Sequence, residues 1–399
     1  MTVGQSGEGR DRAPPVLPDY AGGGIVNLMA SIARHFEVPQ WVYPPLHAPS
    51  TAWTLDGDVL LIVVDGLGDA VLRRQAAGGA LAAHRKDRLT SVFPSTTASA
   101  ITTFLTGLAP SQHGLTGWHA YLEEIDRIAA LLPFHLRGSE MTPAQLGLPP
   151  CAVFTAPPFG DRLKAQCHMV SPRRIVDTTF NVLHAGRAHR HAYSTLAEFF
   201  EQCERCLRPT SGRRFVYAYW PELDSVAHER GVDGAQATEA LHRFDQGFER
   251  LLSALRGREL TVLVTGDHGL LDAAADQAVV LDDHPHMAAM LAQPLSGERR
   301  AAYCHVRPER LRNFEHYVHS ELSDRVELWE SSVLIEAGWF GPSPIAARLT
   351  SAVGDYTLLA KDRATVKDWL PGEKRYEQVG VHGGVSAEEM YVPLIVAQP

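Results

Sequence analysis

Three apolar runs in this chain each lead straight into metal-ligand chemistry. LLIVVDG delivers Asp65, the run ending at Trp220 leads to LDSVAH with Asp224 and His228, and VLVTGDHG delivers Asp267 and His268. Runs that are apolar throughout, rather than alternating, are what strands covered on both faces require. Strands of that kind sit in parallel sheets whose crossovers are helices. The pattern therefore predicts an α/β fold: a mainly parallel central sheet with helices on both faces, and the acids raised on its carboxyl rim.

The expected strands are Val59–Val64, Leu89–Phe93, Phe215–Trp220 and Leu260–Thr265. Expected helices run over Ile25–Phe36, Asp69–His84 and Gly234–Leu255, the first with Ile25, Leu28, Met29, Ile32 and Phe36 on one stripe. Residues 1–20, rich in Gly, Pro and charge, are expected to be a mobile N-terminal segment. Residues 21–399 are read as a single domain carrying cap insertions at about 115–209 and 281–347, where the strand–helix rhythm breaks.

Asp and neutral His are donors suited to divalent zinc or manganese. Three carboxylates on one rim repel one another unless cations neutralise them. With His382 from the later VGVHGG, the set Asp65, Asp224, His228, Asp267, His268 and His382 suits two divalent ions, zinc or manganese. A two-ion site paired with a hydroxyl at a helix start suits phosphoryl transfer. PSTTAS, leading into a helix at about Thr97, offers Ser95, Thr96, Thr97 and Ser99, though helix capping accounts for any one of them singly.

Composition narrows the class. A net charge of -9 over 399 residues argues against coating nucleic-acid polymers or anionic membrane. The start of the chain lacks the apolar core of a signal peptide, and no stretch reaches membrane-spanning length, so a cytoplasmic protein is expected. Five cysteines without framework spacing agree with a reducing compartment. Cys203 and Cys206 form a CxxC without the second pair of a zinc ribbon, and are expected to pack as helix residues.

The sequence resembles the type I phosphodiesterase and nucleotide pyrophosphatase family of the alkaline phosphatase superfamily. The resemblance rests on VVDG at Val63, FPSTTASAITTFLTGLAPSQHGLTG, YWPELDSVAH, VLVTGDHG, and VHGG followed by VPLI. It implies an alkaline-phosphatase-like fold and a phosphohydrolase acting on a small-molecule phosphodiester or monoester. It further implies Thr97 as nucleophile forming a phospho-threonine, with Asp65, Asp267 and His268 at one ion and Asp224, His228 and His382 at the other. Relatives with these ligands that cleave carbon–phosphorus bonds make phosphonate hydrolysis the alternative. A catalytically inactive relative would have lost ligands, and here all are present.

Two departures stand out. The ThrxProAsn often found in the family is Thr97-Ala-Ser-Ala here, and where nucleotide pyrophosphatases carry a phosphate-contacting Asn, HGLTG leads to Trp118. Trp118 is read as either core packing or an apolar face for the leaving group, with His119 and Tyr121 beside it. His113 is expected to brace its own turn. Arg162, Lys164, Arg173 and Arg174 are the basic candidates for a second substrate charge. The His-rich DDHPHM at Asp282–Met287 is expected to pack as loop or cap.

Overall fold

The computed structural model describes residues 14–47, 54–208 and 211–399. Most of the segment expected to be mobile, residues 1–13, lies outside the described residues. The remainder is anchored: Val16 N–H donates to the Val385 carbonyl at 2.8 Å, and the Asp19 amide donates to Thr90 Oγ1 at 2.8 Å.

Seven strands form the central sheet in the order Arg85–Thr90, Tyr391–Ala397, Leu260–Gly266, Asp58–Val64, Arg214–Trp220, Gln166–Pro172, His189–Tyr193. The last five run parallel, and Tyr391–Ala397 lies antiparallel to both of its neighbours. Asp58–Val64 is buried along its whole length. Because successive side chains point to opposite faces, Val59, Leu61 and Val63 enter one core with the helices Ile25–His35 and Thr97–Thr106. Leu60, Ile62 and Val64 enter a second core with Leu196–Cys206 and Ala235–Ala254.

The structure departs from expectation in three places. The single helix over Asp69–His84 is two, Asp69–Gln75 and Ala80–Ala83. Gly78 and Gly79 break the run, and the Asp245 carboxylate accepts from the Ala80 and Leu81 amides at 3.1 and 2.7 Å. Its carboxyl oxygen lies 2.3 Å from where a Cβ on Gly79 would sit, so a larger residue there would push the Asp245 carboxylate off these amides. The strand expected at Leu89–Phe93 begins earlier and ends at Thr90. The third departure concerns the stretch 115–209, of which Gln166–Pro172, His189–Tyr193 and Leu196–Cys206 belong to the central layers. QCHMVSP and HRHAY lie toward the sheet edge and carry too many polar residues to show the apolar run of an inner strand.

Residues 119–136 of that stretch join strands of the second stretch, and Tyr356–Ala360 beyond it, in a separate antiparallel sheet. Its order is Val326–Glu330, Tyr356–Ala360, Ala301–Cys304, Ser296–Gly297, His119–Leu122, Arg127–Ala130, His135–Leu136. Gly297 pairs with His119, so one hydrogen-bonded wall is built from chain regions about 180 residues apart. Arg300 fastens this wall to the central layers. Its guanidinium donates through Nε and Nη2 to Glu389 at 3.0 Å each, and Glu389 also accepts from the Gly384 amide at 2.8 Å.

Glu389 is fully buried, and despite that burial the Arg300 guanidinium holds its carboxyl below the usual range. Glu389→Gln leaves Arg300 without a counter-charge, and a loss of about 3–5 kcal/mol in denaturant-unfolding free energy is expected. A change below 1 kcal/mol would contradict this account. Among the described residues, no helix is long and apolar enough to cross a membrane.

Candidate active site

Parallel register explains why the acids meet. Val64 pairs with Trp220 on one side and Gly266 on the other, so Asp65 and Asp267 leave adjacent strands at the same height. The chain turns at once at Gly66, whose φ of +74° suits glycine and whose hypothetical Cβ would lie 2.6 Å from Leu270 Cδ1. That turn lets the Gly66 amide donate to Asp267 Oδ1 at 3.0 Å, and the His268 amide donates to the same oxygen at 3.0 Å. Tyr219 donates its hydroxyl to Asp65 Oδ2. Thus one oxygen of each carboxylate is held by protein donors.

The other oxygens face a common point. His268 Nε2 lies 3.3 Å from Asp65 Oδ1 and 3.4 Å from Asp267 Oδ2. His268 Nδ1 donates to the Gly269 carbonyl at 3.1 Å, the arrangement that leaves Nε2 as a lone-pair donor. Asp65, Asp267 and His268 therefore form one group of three converging donors.

Asp224, His228 and His382 form a second such group. Asp224 and His228 stand one turn apart on the helix Glu222–Arg230, with Oδ2 and Nε2 3.2 Å apart. His382 Nε2 lies 3.9 Å from Asp224 Oδ1, and the His382 ring stacks on His268 at a centroid distance of 3.8 Å. Both rings of this group are oriented through Nδ1, which donates to Gly380 O at 2.7 Å from His228 and to Ser95 O at 3.2 Å from His382.

Burial, then the neighbouring Asp267 and Asp224 charges, pushes the Asp65 carboxyl well up, and burial pushes Asp267 up. Asp224 is also opposed by burial, but the adjacent His228 holds it below the usual range. That same carboxylate overcomes the burial of His228 and raises it to about 9. Asp267 Oδ2 and Asp224 Oδ1 are buried without any hydrogen-bond donor. A buried, unpartnered carboxylate oxygen is costly. Two such oxygens, each beside imidazole lone pairs, fit a divalent cation in each group.

Among the hydroxyls of PSTTAS, three are committed elsewhere. Ser95 donates to Gly384 O at 2.7 Å, Ser99 to Leu115 O at 3.0 Å, and Thr96 to Glu298 Oε1 at 2.6 Å. Thr97, the first residue of the helix Thr97–Thr106, is different: its Oγ1 is 3.1 Å from His268 Nε2 and 3.4 Å from Asp65 Oδ1. Only this hydroxyl of the four points into the donor cluster.

Residues 59–384 match the family described as type I phosphodiesterase / nucleotide pyrophosphatase. The chain belongs to that family. Its members are phosphoester hydrolases and are generally metal-dependent. Solved structures agree on the fold. A murine ectonucleotide pyrophosphatase / phosphodiesterase 5, an inactive variant in complex with AMP, aligns with a TM-score of 0.63 at 14% identity, covering 85% of this chain and 87% of that one. Phosphonoacetate hydrolase from Sinorhizobium meliloti 1021, in complex with phosphonoformate, aligns with a TM-score of 0.62 at 17% identity, covering 86% and 90%.

In this phosphodiesterase-family chain the donor groups open on a cavity of about 700 Å³. Trp118, 40% exposed, lines it, so the core-packing reading of that residue is set aside. Of the four basic candidates only Arg174 lines the cavity. Arg162 lies over the Trp41 ring at 3.9 Å, Arg173 donates to Ser194 Oγ at 3.1 Å, and Lys164 is exposed outside it. His119 also lines it, kept neutral by burial and by Arg137, whereas Tyr121 lies outside and donates to Asp126. His113 braces its turn, accepting from the Leu115 amide at 3.1 Å.

Sequence reading missed Tyr219, Glu298, Arg299, Trp369 and Tyr376. Tyr219 was hidden in an apolar strand. Arg299 was hidden in a loop, where its guanidinium lies 5.2 and 4.8 Å from the Trp369 and Tyr376 rings. Glu298 carried no motif at all, yet its Oε1 accepts from the Thr96 hydroxyl and the Trp118 amide, each at 2.6 Å. The DDHPHM stretch lies apart, with His284 bonded to Tyr317 and Met287 buried.

Proposed function

We propose that this protein hydrolyses a phosphodiester or phosphate monoester of a small molecule at two divalent cations, with Thr97 as nucleophile. The observation that carries the reading is the placement of Thr97 Oγ1 against His268 and Asp65 while its neighbouring hydroxyls are engaged elsewhere. Asp65, Asp267 and His268 would hold one cation, and Asp224, His228 and His382 the other. Zinc suits these donors, and manganese also does. Bound there, the cations supply Lewis acidity toward the attacking hydroxyl and the phosphoryl oxygens.

The Thr97 oxygen attacks phosphorus as the bond to the leaving oxygen breaks, giving a phospho-threonine. Water then attacks phosphorus and restores the hydroxyl, so one difficult displacement becomes two easier ones. Tyr219 fixes Asp65, and the Gly66 and His268 amides fix Asp267, which preorganises the nucleophile's surroundings. Trp118, Trp369 and Tyr376 offer aromatic surface to a leaving group, and Arg299 and Arg174 offer positive charge to a second anionic group.

A second reading, phosphonate hydrolysis, draws on those cavity arginines and on the phosphonate ligands of the phosphonoacetate hydrolase structure. A single panel separates the readings: a bis-aryl phosphate, the mono-aryl ester and phosphonoacetate, each offered to zinc-loaded and manganese-loaded protein. Turnover of an ester supports the first reading, release of phosphate from phosphonoacetate alone supports the second, and no turnover of any sinks both.

Glu298 adds a negative charge to the wall where a phosphoryl anion would bind. Glu298→Gln retains an acceptor for Thr96 and Trp118 but removes that charge. Inhibition by inorganic phosphate is expected to tighten by about fivefold to tenfold. An unchanged inhibition constant would remove Glu298 from anion discrimination.

A further inference from the structure

Away from the cavity, at the edge of the central sheet, a third set of donors converges: His168, His191 and Cys206. None of them lines the active-site cavity. His168 lies in Gln166–Pro172 and His191 in His189–Tyr193, strands whose register pairs Val170 with His191. Strand alternation puts His168 on the same face as Val170, and His191 on the same face as Tyr193. Val170 and Tyr193 belong to the core that the helix Leu196–Cys206 covers. The helix ends there with Cys206, 5% exposed. Cys203 packs in the core as its sequence context predicted, but Cys206 meets two imidazoles supplied by the neighbouring strands.

We infer that His168, His191 and Cys206 bind one zinc ion that clips the edge strand and its neighbour to the covering helix. His168 Nδ1 and His191 Nε2 face each other at 3.0 Å, and the three donor atoms all lie within 4.8 Å of one another. Zinc–nitrogen and zinc–sulfur bonds of about 2.05 and 2.3 Å at tetrahedral angles require about 3.3 Å between nitrogens and about 3.6 Å from nitrogen to sulfur. The observed spacings, 3.0 Å between the nitrogens and no more than 4.8 Å among all three donors, bracket that geometry. Three protein donors leave a fourth tetrahedral position that water suits.

Charge and chemistry agree with the assignment. Burial, then His191, His189 and Arg214 around His168, and burial, then His189 and Arg205 around His191, push both imidazoles down toward the neutral form that ligates metal. Burial pushes the Cys206 thiol up to about 12, against the pull of Arg205, so zinc binding would displace its proton to solvent. A nitrogen–sulfur donor set selects borderline-soft cations, unlike the oxygen–nitrogen sets of the active site.

The donor types give a direct test, because thiolate-to-cobalt charge transfer cannot come from an active site that contains no sulfur. Full-length protein reconstituted with Co²⁺ is expected to show that near-ultraviolet band at about one equivalent per chain. Cys206→Ala should abolish it, and His191→Gln, at a half-buried position that tolerates the change, should abolish or strongly weaken it. Zinc-loaded wild type should hold one equivalent more than either variant, while ester turnover per chain stays within about twofold. Absence of the band in the wild type, its survival in Cys206→Ala, or equal zinc content in all three proteins would overturn the assignment.

Discussion

Thr97→Ala is expected to lower turnover by a factor of about 10⁴–10⁶ while leaving bound metal and the thermal midpoint essentially unchanged. The size follows from the covalent route. Without the hydroxyl there is no acceptor for the phosphoryl group, and only direct attack by water in a preorganised site remains. The folding cost is small because Thr97 stands at the helix start, where Thr96 rather than Thr97 occupies the capping position. Thr97→Ser should retain part of the activity. Acid-quenched wild type turning over an aryl ester should carry phosphate on the peptide containing Thr97, detectable by mass spectrometry. Near-normal turnover by Thr97→Ala would refute the nucleophile assignment, and Thr96→Ala supplies the comparison, with a much smaller loss.

Stripping the cations with a chelator should abolish turnover, with recovery on adding zinc or manganese. It should also make stability fall more steeply as pH rises. In the metal-free fold Asp65 and Asp267 titrate above the ordinary carboxylate value of 3.8. Their contribution is intact below that value and is lost as pH rises through the raised values. His228, raised from 6.5 to about 9, acts in the same direction: its contribution is complete below 6.5 and lost as pH climbs through 9.

Opposing groups act at lower pH. Asp224 is held low, so its contribution fades only as pH falls below the carboxylate range. His382 is depressed by burial and His268, and the penalty of charging it has ended above pH 6.5. Between pH 6.5 and 9 the thermal midpoint of chelated protein should therefore fall by several degrees, whereas zinc-loaded protein should stay flatter, so the increment from zinc grows with pH. A metal-free midpoint that holds level or rises across that interval would refute the raised titration of His228.

The rim of the sheet was readable because its cause is local. An unbroken apolar strand, a stop, and an acid are contiguous in sequence, and parallel register then aligns Asp65 with Asp267 without further information. The same holds for Asp224 and His228 on one helical face, and for Thr97 at a helix start. The partners of those residues were not readable. Tyr219 is one more aromatic in a buried strand, and Glu298 reaches Thr96 and Trp118 only because two distant segments pair at Gly297 and His119. The sheet-edge strands Gln166–Pro172 and His189–Tyr193 were missed for a related reason. Three histidines on one face disguise a strand, since their pattern reflects what they meet across the sheet rather than burial alone.

That pairing of Gly297 with His119 bears on how family members recombine. A chimera made with one crossover anywhere between residues 130 and 296 keeps the active-site donor types at the strand ends, yet it joins half of one parent's cavity wall to half of another's. Such hybrids should still take up metal at the strand ends while losing discrimination among leaving groups. Moving specificity between relatives therefore calls for two segments exchanged together, 118–136 and 296–376, with the strand-end scaffold left in place.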